Sequence, residues 1–203
     1  MTAAEGMAIL QSDPDWVRRS EECEAAHKAD MARRLKEIEP EVAPLIAEIV
    51  TAGVRFYPTK LDQWKSGGTI TGPEPISPRL ISHLVRTLNN YPAAIPIMVK
   101  HLRTAKHPVV IEIIARALTV EEARGTEASQ MILGKLKQTE PCPARCGDAY
   151  DVRWALANAL VVVGDASMVD EIKALIADPR YADIQARLKD ALKHCERLAK
   201  RRL

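Results

Sequence analysis

Apolar positions in the last third of the chain recur at steps of three and four. Val152, Leu156, Ala159, Leu160 and Val163 mark one face of a helix that Gly164-Asp165 stops. Val169, Ile172, Leu175 and Ile176 mark a second helix, ended by Asp178-Pro179. Ile184, Leu188, Ala191, Leu192, Cys195 and Leu198 mark a third. Each is amphipathic and too short to bury itself, so the pattern predicts helices that stack on one another.

The same rhythm runs upstream. Asp13-Pro14 is a helix start, but from Asp15 to Ile38 the apolar marks thin to Trp16, Val17, Cys23, Met31, Leu35 and Ile38 among charges. That spacing predicts a mostly solvated helix in an N-terminal extension, residues 1–39. Glu39-Pro40 is expected to break it and open a second helix. There Val42, Leu45, Ile46, Ile49 and Val50 form an apolar face closed by Gly53.

Residues 54–75, with Ser66-Gly67-Gly68 and Gly72-Pro73-Glu74-Pro75, read as one long irregular loop. Ser77-Pro78 caps a helix carrying Leu80, Ile81, Leu84, Val85 and Leu88. Pro92 opens another, with Ile95, Met98, Val99 and Leu102 inward. His107-Pro108 separates it from one carrying Val110, Ile113, Ile114, Ala117 and Leu118. Thr126 to Lys137 supplies a further helix, and a loop holding Cys142 and Cys146 follows.

An Ala-Leu dipeptide recurs in the second helix of each pair. Ala117-Leu118, Ala159-Leu160 and Ala191-Leu192 lie 42 and then 32 positions apart, and Thr87-Leu88 lies 30 before the first. The uneven spacing falls in loops. Together with Asp151-Val152-Arg153 opening a helix, Val163-Gly164-Asp165 closing it and Asp178-Pro179 at the next turn, these residues make the chain resemble the HEAT-repeat superfamily, particularly short bacterial HEAT-like proteins. The resemblance covers Pro92 to Leu198 well and Pro40 to Leu88 weakly. It implies an all-α fold, a right-handed α-solenoid of about four helix pairs over residues 40–203. It also implies that Asp151 and Arg153 tie neighbouring turns together rather than acting at a site.

Composition agrees with layered helices. Hydrophobic residues make up 47% of the 203 positions but aromatics only 4%, so Ala, Leu, Ile and Val must fill the core. A net charge of +2 gives no global pull toward nucleic acid or anionic membrane. No apolar run approaches the ~20 residues of a membrane span. The start of the chain lacks the basic and apolar regions of a secretory signal, so the cysteines are expected reduced and the protein cytoplasmic.

If the second helices line a concave inner surface, counting from the Ala-Leu anchors predicts which residues face it. One row is Ser82, Glu112, Trp154 and Ala186. The next is Arg86, Arg116, Asn158 and Asp190, followed by Asn89, Thr119, Val161 and Lys193. An exposed Trp154 flanked by Arg116 and Asn158 has the composition of a binding hot spot. The alternative is that Trp154 caps the core between adjacent helices.

Other chemistry is sparse. Cys142-Pro143-Ala144-Arg145-Cys146 is the only stretch resembling a metal motif, and a zinc site needs a second ligand pair. His194-Cys195 is the nearest, yet adjacent residues on a helix diverge, so no metal and no cofactor are expected. The five histidines show no spacing linked to a nucleophile, and no phosphate-cradling loop or protease motif occurs. The basic run from Lys189 to Arg202 complements a helix C-terminus, and it lacks the interleaved aromatics of a single-strand binder.

The expected function is therefore a non-catalytic adaptor that binds a protein partner through Arg86, Glu112, Arg116, Trp154, Asn158, Asp190 and Lys193. The alternative is a nucleic-acid-binding protein similar to the HEAT-like bacterial DNA glycosylases. Those carry a carboxylate on a strongly basic face, whereas here Asn158 stands one turn after Trp154 and the pI is about 8.3. A third reading, similarity to HEAT-like bilin lyases, rests on the repeat motif alone.

Overall fold

The computed structural model describes residues 14–54, 91–140 and 152–201. Most of the loop expected at 54–75, the helix after Ser77-Pro78 with Arg86, Asp151, and the loop with Cys142 and Cys146 lie outside them. Every element among the described residues is helical. None of these helices is long and apolar enough to cross a membrane.

The chain divides into two compact units, Met1–Pro40 and Glu41–Leu203. In the first, helix α1 (Pro14–Thr51) begins with a charged stretch. Trp16 and Val17 are half-buried there, while Cys23 is exposed. The ion pairs Asp15–Arg18 (3.1 Å) and Arg33–Glu37 (3.7 Å) sit on its solvated surface. Exposed pairs of this kind add about 0.2–1 kcal/mol at most.

The break expected at Glu39-Pro40 does not occur, and α1 continues to Thr51. Both Pro40 and Pro44 are exposed, one turn apart on the same side of the helix. The bonds their missing N–H groups forfeit are therefore lost on the wet side. The buried stripe Val42, Leu45, Ile46 and Ile49 is untouched by either ring.

Gly53 ends α1 as its position suggested. It adopts φ +76°, which glycine takes without a Cβ penalty. Its N–H donates to the Val50 carbonyl (2.9 Å) and that of Val54 to Ile49 (3.3 Å), the paired bonds of a Schellman end, with Val54 buried beyond it.

The rest of the second unit is built from α2 (Tyr91–Thr104), α3 (Pro108–Ala117), α4 (Glu127–Gln138), α5 (Val152–Val163), α6 (Val169–Ala177) and α7 (Gln185–Arg201). Several boundaries have a local cause. The His107 ring accepts the Val109 N–H with Pro108 in the first turn of α3, and Thr126 Oγ1 accepts the Ala128 N–H at the start of α4. Asp165 and Asp178 cap the 3₁₀ turns Ala166–Met168 and Pro179–Ile184 by accepting the N–H groups of Ser167 and Arg180.

Helix α5 is the centre of the packing. It touches α3, α4 and α7, while α2 lies against α3 and α4, and α6 against α7. Leu156, Ala157, Ala159, Leu160 and Val163 of α5 are fully buried. Its alanines let three neighbours approach closely, which explains how a core with few aromatics fills its space.

The end of α5 meets α7 at Gly164. A Cβ built there would lie 2.6 Å from the Leu160 carbonyl oxygen and 2.8 Å from Cys195 Sγ. A side chain there would clash with the carbonyl of its own helix as well as with Cys195 of α7. Gly164→Ala is therefore expected to cost about 1–3 kcal/mol, the usual range for overpacking, read as a lower urea midpoint with an unchanged slope. An unchanged midpoint would show that the end of α5 relaxes enough to take a methyl group.

Candidate functional site

Because α3 packs on α5 and α5 on α7, one side of the second unit carries a continuous chain of contacts. On α3, the Glu112 carboxylate accepts from Arg116 Nε at 2.7 Å. Arg116 lies over the Trp154 ring of α5, 5.5 Å from its centroid. Arg187 of α7 lies over the same ring at 5.2 Å. Arg187 in turn faces Asp190 at 3.6 Å, and Asp190 faces Lys193 at 3.8 Å.

Five of the seven residues expected at a partner surface thus fall in one network across three helices. Arg116 and Lys193 are exposed, and Trp154 and Asp190 are half-buried. Asn158, a sixth, is half-buried one turn beyond Trp154 on α5. The seventh, Arg86, lies outside the described residues.

Glu112 departs from the expectation that its row stands open, because the residue is only 2% exposed. Helix α3 buries Val110, Ile111, Ile114 and Ala115 around it, so little of the helix circumference is left for solvent. A carboxylate persists in that setting because a guanidinium compensates its charge at hydrogen-bond distance. Glu112 therefore reaches the surface only through Arg116.

Sequence reasoning missed Arg187. The count from the Ala-Leu anchor set Ala186 level with Trp154, one residue short. That count runs inside α7, from Ala191 back to Ala186, so the offset of one residue lies in how α7 is rotated against α5. One residue on a helix is about 100° of rotation, enough to exchange an alanine for an arginine.

Arg153, next to Trp154, points the other way and is 2% exposed. Its Nη2 donates to the Arg180 carbonyl at 2.6 Å and faces Asp183 at 3.2 Å. The guanidinium stacks 4.7 Å from the centroid of buried Tyr181. It joins the start of α5 to the turn before α7. Arg180 is held by Asp178, whose carboxylate its bonds keep below the usual range.

His194 and Cys195 lie on the inner side of α7. Burial pushes the Cys195 thiol up to about 11, with the nearby Asp165 charge adding to it, so the thiol is a packing group rather than a nucleophile. His194 Nε2 is buried without a hydrogen-bond partner among the described residues. Burial lowers the pKa of His194, and the positive charges of Arg124 and Arg197 lower it further, outweighing the opposite pull of Glu121 and the Gly164 carbonyl. Among the described residues, no group of three His, Cys, Asp or Glu side chains is placed to hold a metal ion.

No family model matches the chain, and no curated protein or solved structure matches it.

Two outcomes follow from this geometry. Arg153→Ala is expected to lower stability by about 1–3 kcal/mol, because it leaves the Arg180 carbonyl without its donor and takes the guanidinium from the Tyr181 ring, while exposed Asp183 stays solvated. Leu in its place should recover part of the loss by restoring contact with Tyr181. A loss under about 1 kcal/mol in chemical denaturation would remove Arg153 from the structural role.

For His194, the folded chain binds the proton less readily than the unfolded chain. Stability is then full above the ordinary value of 6.5 and declines as pH falls below it through the depressed folded value. His194→Gln should flatten that part of a stability-against-pH curve, and an identical curve would assign the decline to the carboxylates alone.

Proposed function

We propose that the second unit is a short HEAT-like α-solenoid acting as a non-catalytic, cytoplasmic adaptor, and that it holds a protein partner on the surface formed by α3, α5 and α7. The observation that carries this reading is the indole of Trp154, half-buried between the guanidinium groups of Arg116 and Arg187. Trp and Arg are the side chains that dominate protein interfaces when they sit at the centre of a patch. Each cation over the ring adds about 0.5–1 kcal/mol at such a partly exposed place, so the ring is held in one orientation before any partner arrives. Fewer side chains then need ordering on association.

A protein partner suits this surface better than a nucleic acid. Asp190 and Glu112 belong to the same network, and their carboxylates balance the arginines rather than leaving a basic field for phosphates. Asn158, Asp190 and Lys193 supply a polar margin around the aromatic centre.

Trp154→Ala and Arg116→Glu test the reading in an affinity purification of the full chain from its native host. Each variant is expected to lose the specific partner about tenfold or more at a temperature where both are folded, and Arg116→Glu also lowers the thermal midpoint because it leaves the buried Glu112 carboxylate uncompensated. Equal recovery by wild type and both variants would sink the proposal.

A further inference from the structure

The Trp154 network continues into an open depression of about 570 Å³ between α5 and α7, lined by Val161, Asp190, Lys193, Glu196, Arg197 and Lys200. Asp190 and Lys193 belong to both features. Val161 stands two turns after Trp154 on α5 and gives the depression an apolar floor.

Its charges do not cancel. Asp190 already faces Arg187 and Lys193, and Glu196 faces Lys173 of α6 at 3.5 Å. Arg197 and Lys200, one turn apart and exposed, meet no carboxylate among the described residues. Among the described residues Arg197 makes one hydrogen bond, a long one of 3.4 Å to the Lys193 carbonyl. The C-terminal end of the helix dipole offers roughly half a negative charge, too little to offset two cations.

The mixture of lining groups selects among anions. A run of phosphates would have to pass Asp190 and Glu196 at close range, and like charges there repel it. A peptide can place a carboxylate only where a cation waits and an apolar side chain over Val161. A guanidinium also accepts a carboxylate in a two-pronged bond, which favours Arg197 as the anchor.

We infer that the depression beside Trp154 takes an acidic, partly apolar segment of the protein partner, with its carboxylates on Arg197 and Lys200. This rests on the partner-binding reading of the Trp154 surface and names the chemistry that the partner brings.

Phage-displayed random peptides selected on the full chain provide the probe, and anisotropy of the labelled selected peptides gives the readout. Selected peptides are expected to be rich in Asp and Glu around at least one apolar residue. They should bind less tightly as salt rises and lose about tenfold in affinity on Arg197→Glu with Lys200→Glu. The exposed Arg197→Gln with Lys200→Gln pair, which leaves the thermal midpoint unchanged, should give an intermediate loss.

Peptides that are not acidic, or that ignore the charge reversal, overturn the inference. If those peptides still fail to bind Trp154→Ala, the adaptor reading survives without it. Failure to select any peptide counts against both. Salt-sensitive binding of duplex DNA that the charge reversal abolishes would reassign the depression to phosphates and overturn the inference.

Discussion

A helix of 12 residues enclosed by three neighbours keeps little water at its ends, yet its last carbonyls have no partner within the helix. In this protein that constraint is met at the end of α5 by side chains from elsewhere. Arg124 Nε donates to the Val162 carbonyl at 3.0 Å, and Ser129 Oγ to the Val163 carbonyl at 2.7 Å. Gly164 then lets Cys195 close over the end. The same device joins other layers. Lys135 Nζ donates to the Ala105 carbonyl at 2.6 Å, and the Glu41 carboxylate accepts the N–H groups of Lys106 and His107 at 3.1 Å each. Apolar burial brings the helices together, but these long-range bonds decide which end meets which.

The candidate surface depends on that alignment. Arg116, Trp154 and Arg187 come from three helices and make contact only because α5 is held in register with both neighbours. Glu112 acts from below: its buried carboxylate draws Arg116 inward and fixes the guanidinium over the indole. On the other side of α5, Arg153 applies the same chemistry to an internal purpose. Two consecutive residues, Arg153 and Trp154, thus serve the scaffold and its surface separately.

Much of this was legible in the chain itself. The helices from Tyr91 onward announce themselves through threefold and fourfold apolar spacing, and their ends through His107-Pro108, Thr126, Gly164-Asp165 and Asp178-Pro179. The reading failed where a rule depends on direction. Proline is costly in a helix, but Pro40 and Pro44 face solvent, so α1 passes through both. An exposed row was assigned to Glu112 by counting, whereas the neighbours on α3 close over it. Arg187 was hidden because equal spacing from the Ala-Leu anchors does not fix how α7 is rotated against α5. The depression beside α7 was half visible, in that Val161 and Lys193 were already placed in one row, but only the fold shows that Arg197 and Lys200 are left without carboxylates.

The final helix, α7, has a further effect. The side of α7 turned to solvent presents Lys189, Lys193, Arg197 and Lys200 instead of an aliphatic seam. Covering that side with an apolar surface would strip water from Arg197 and Lys200, which meet no carboxylate among the described residues, so a like face of a second copy is a poor partner for it.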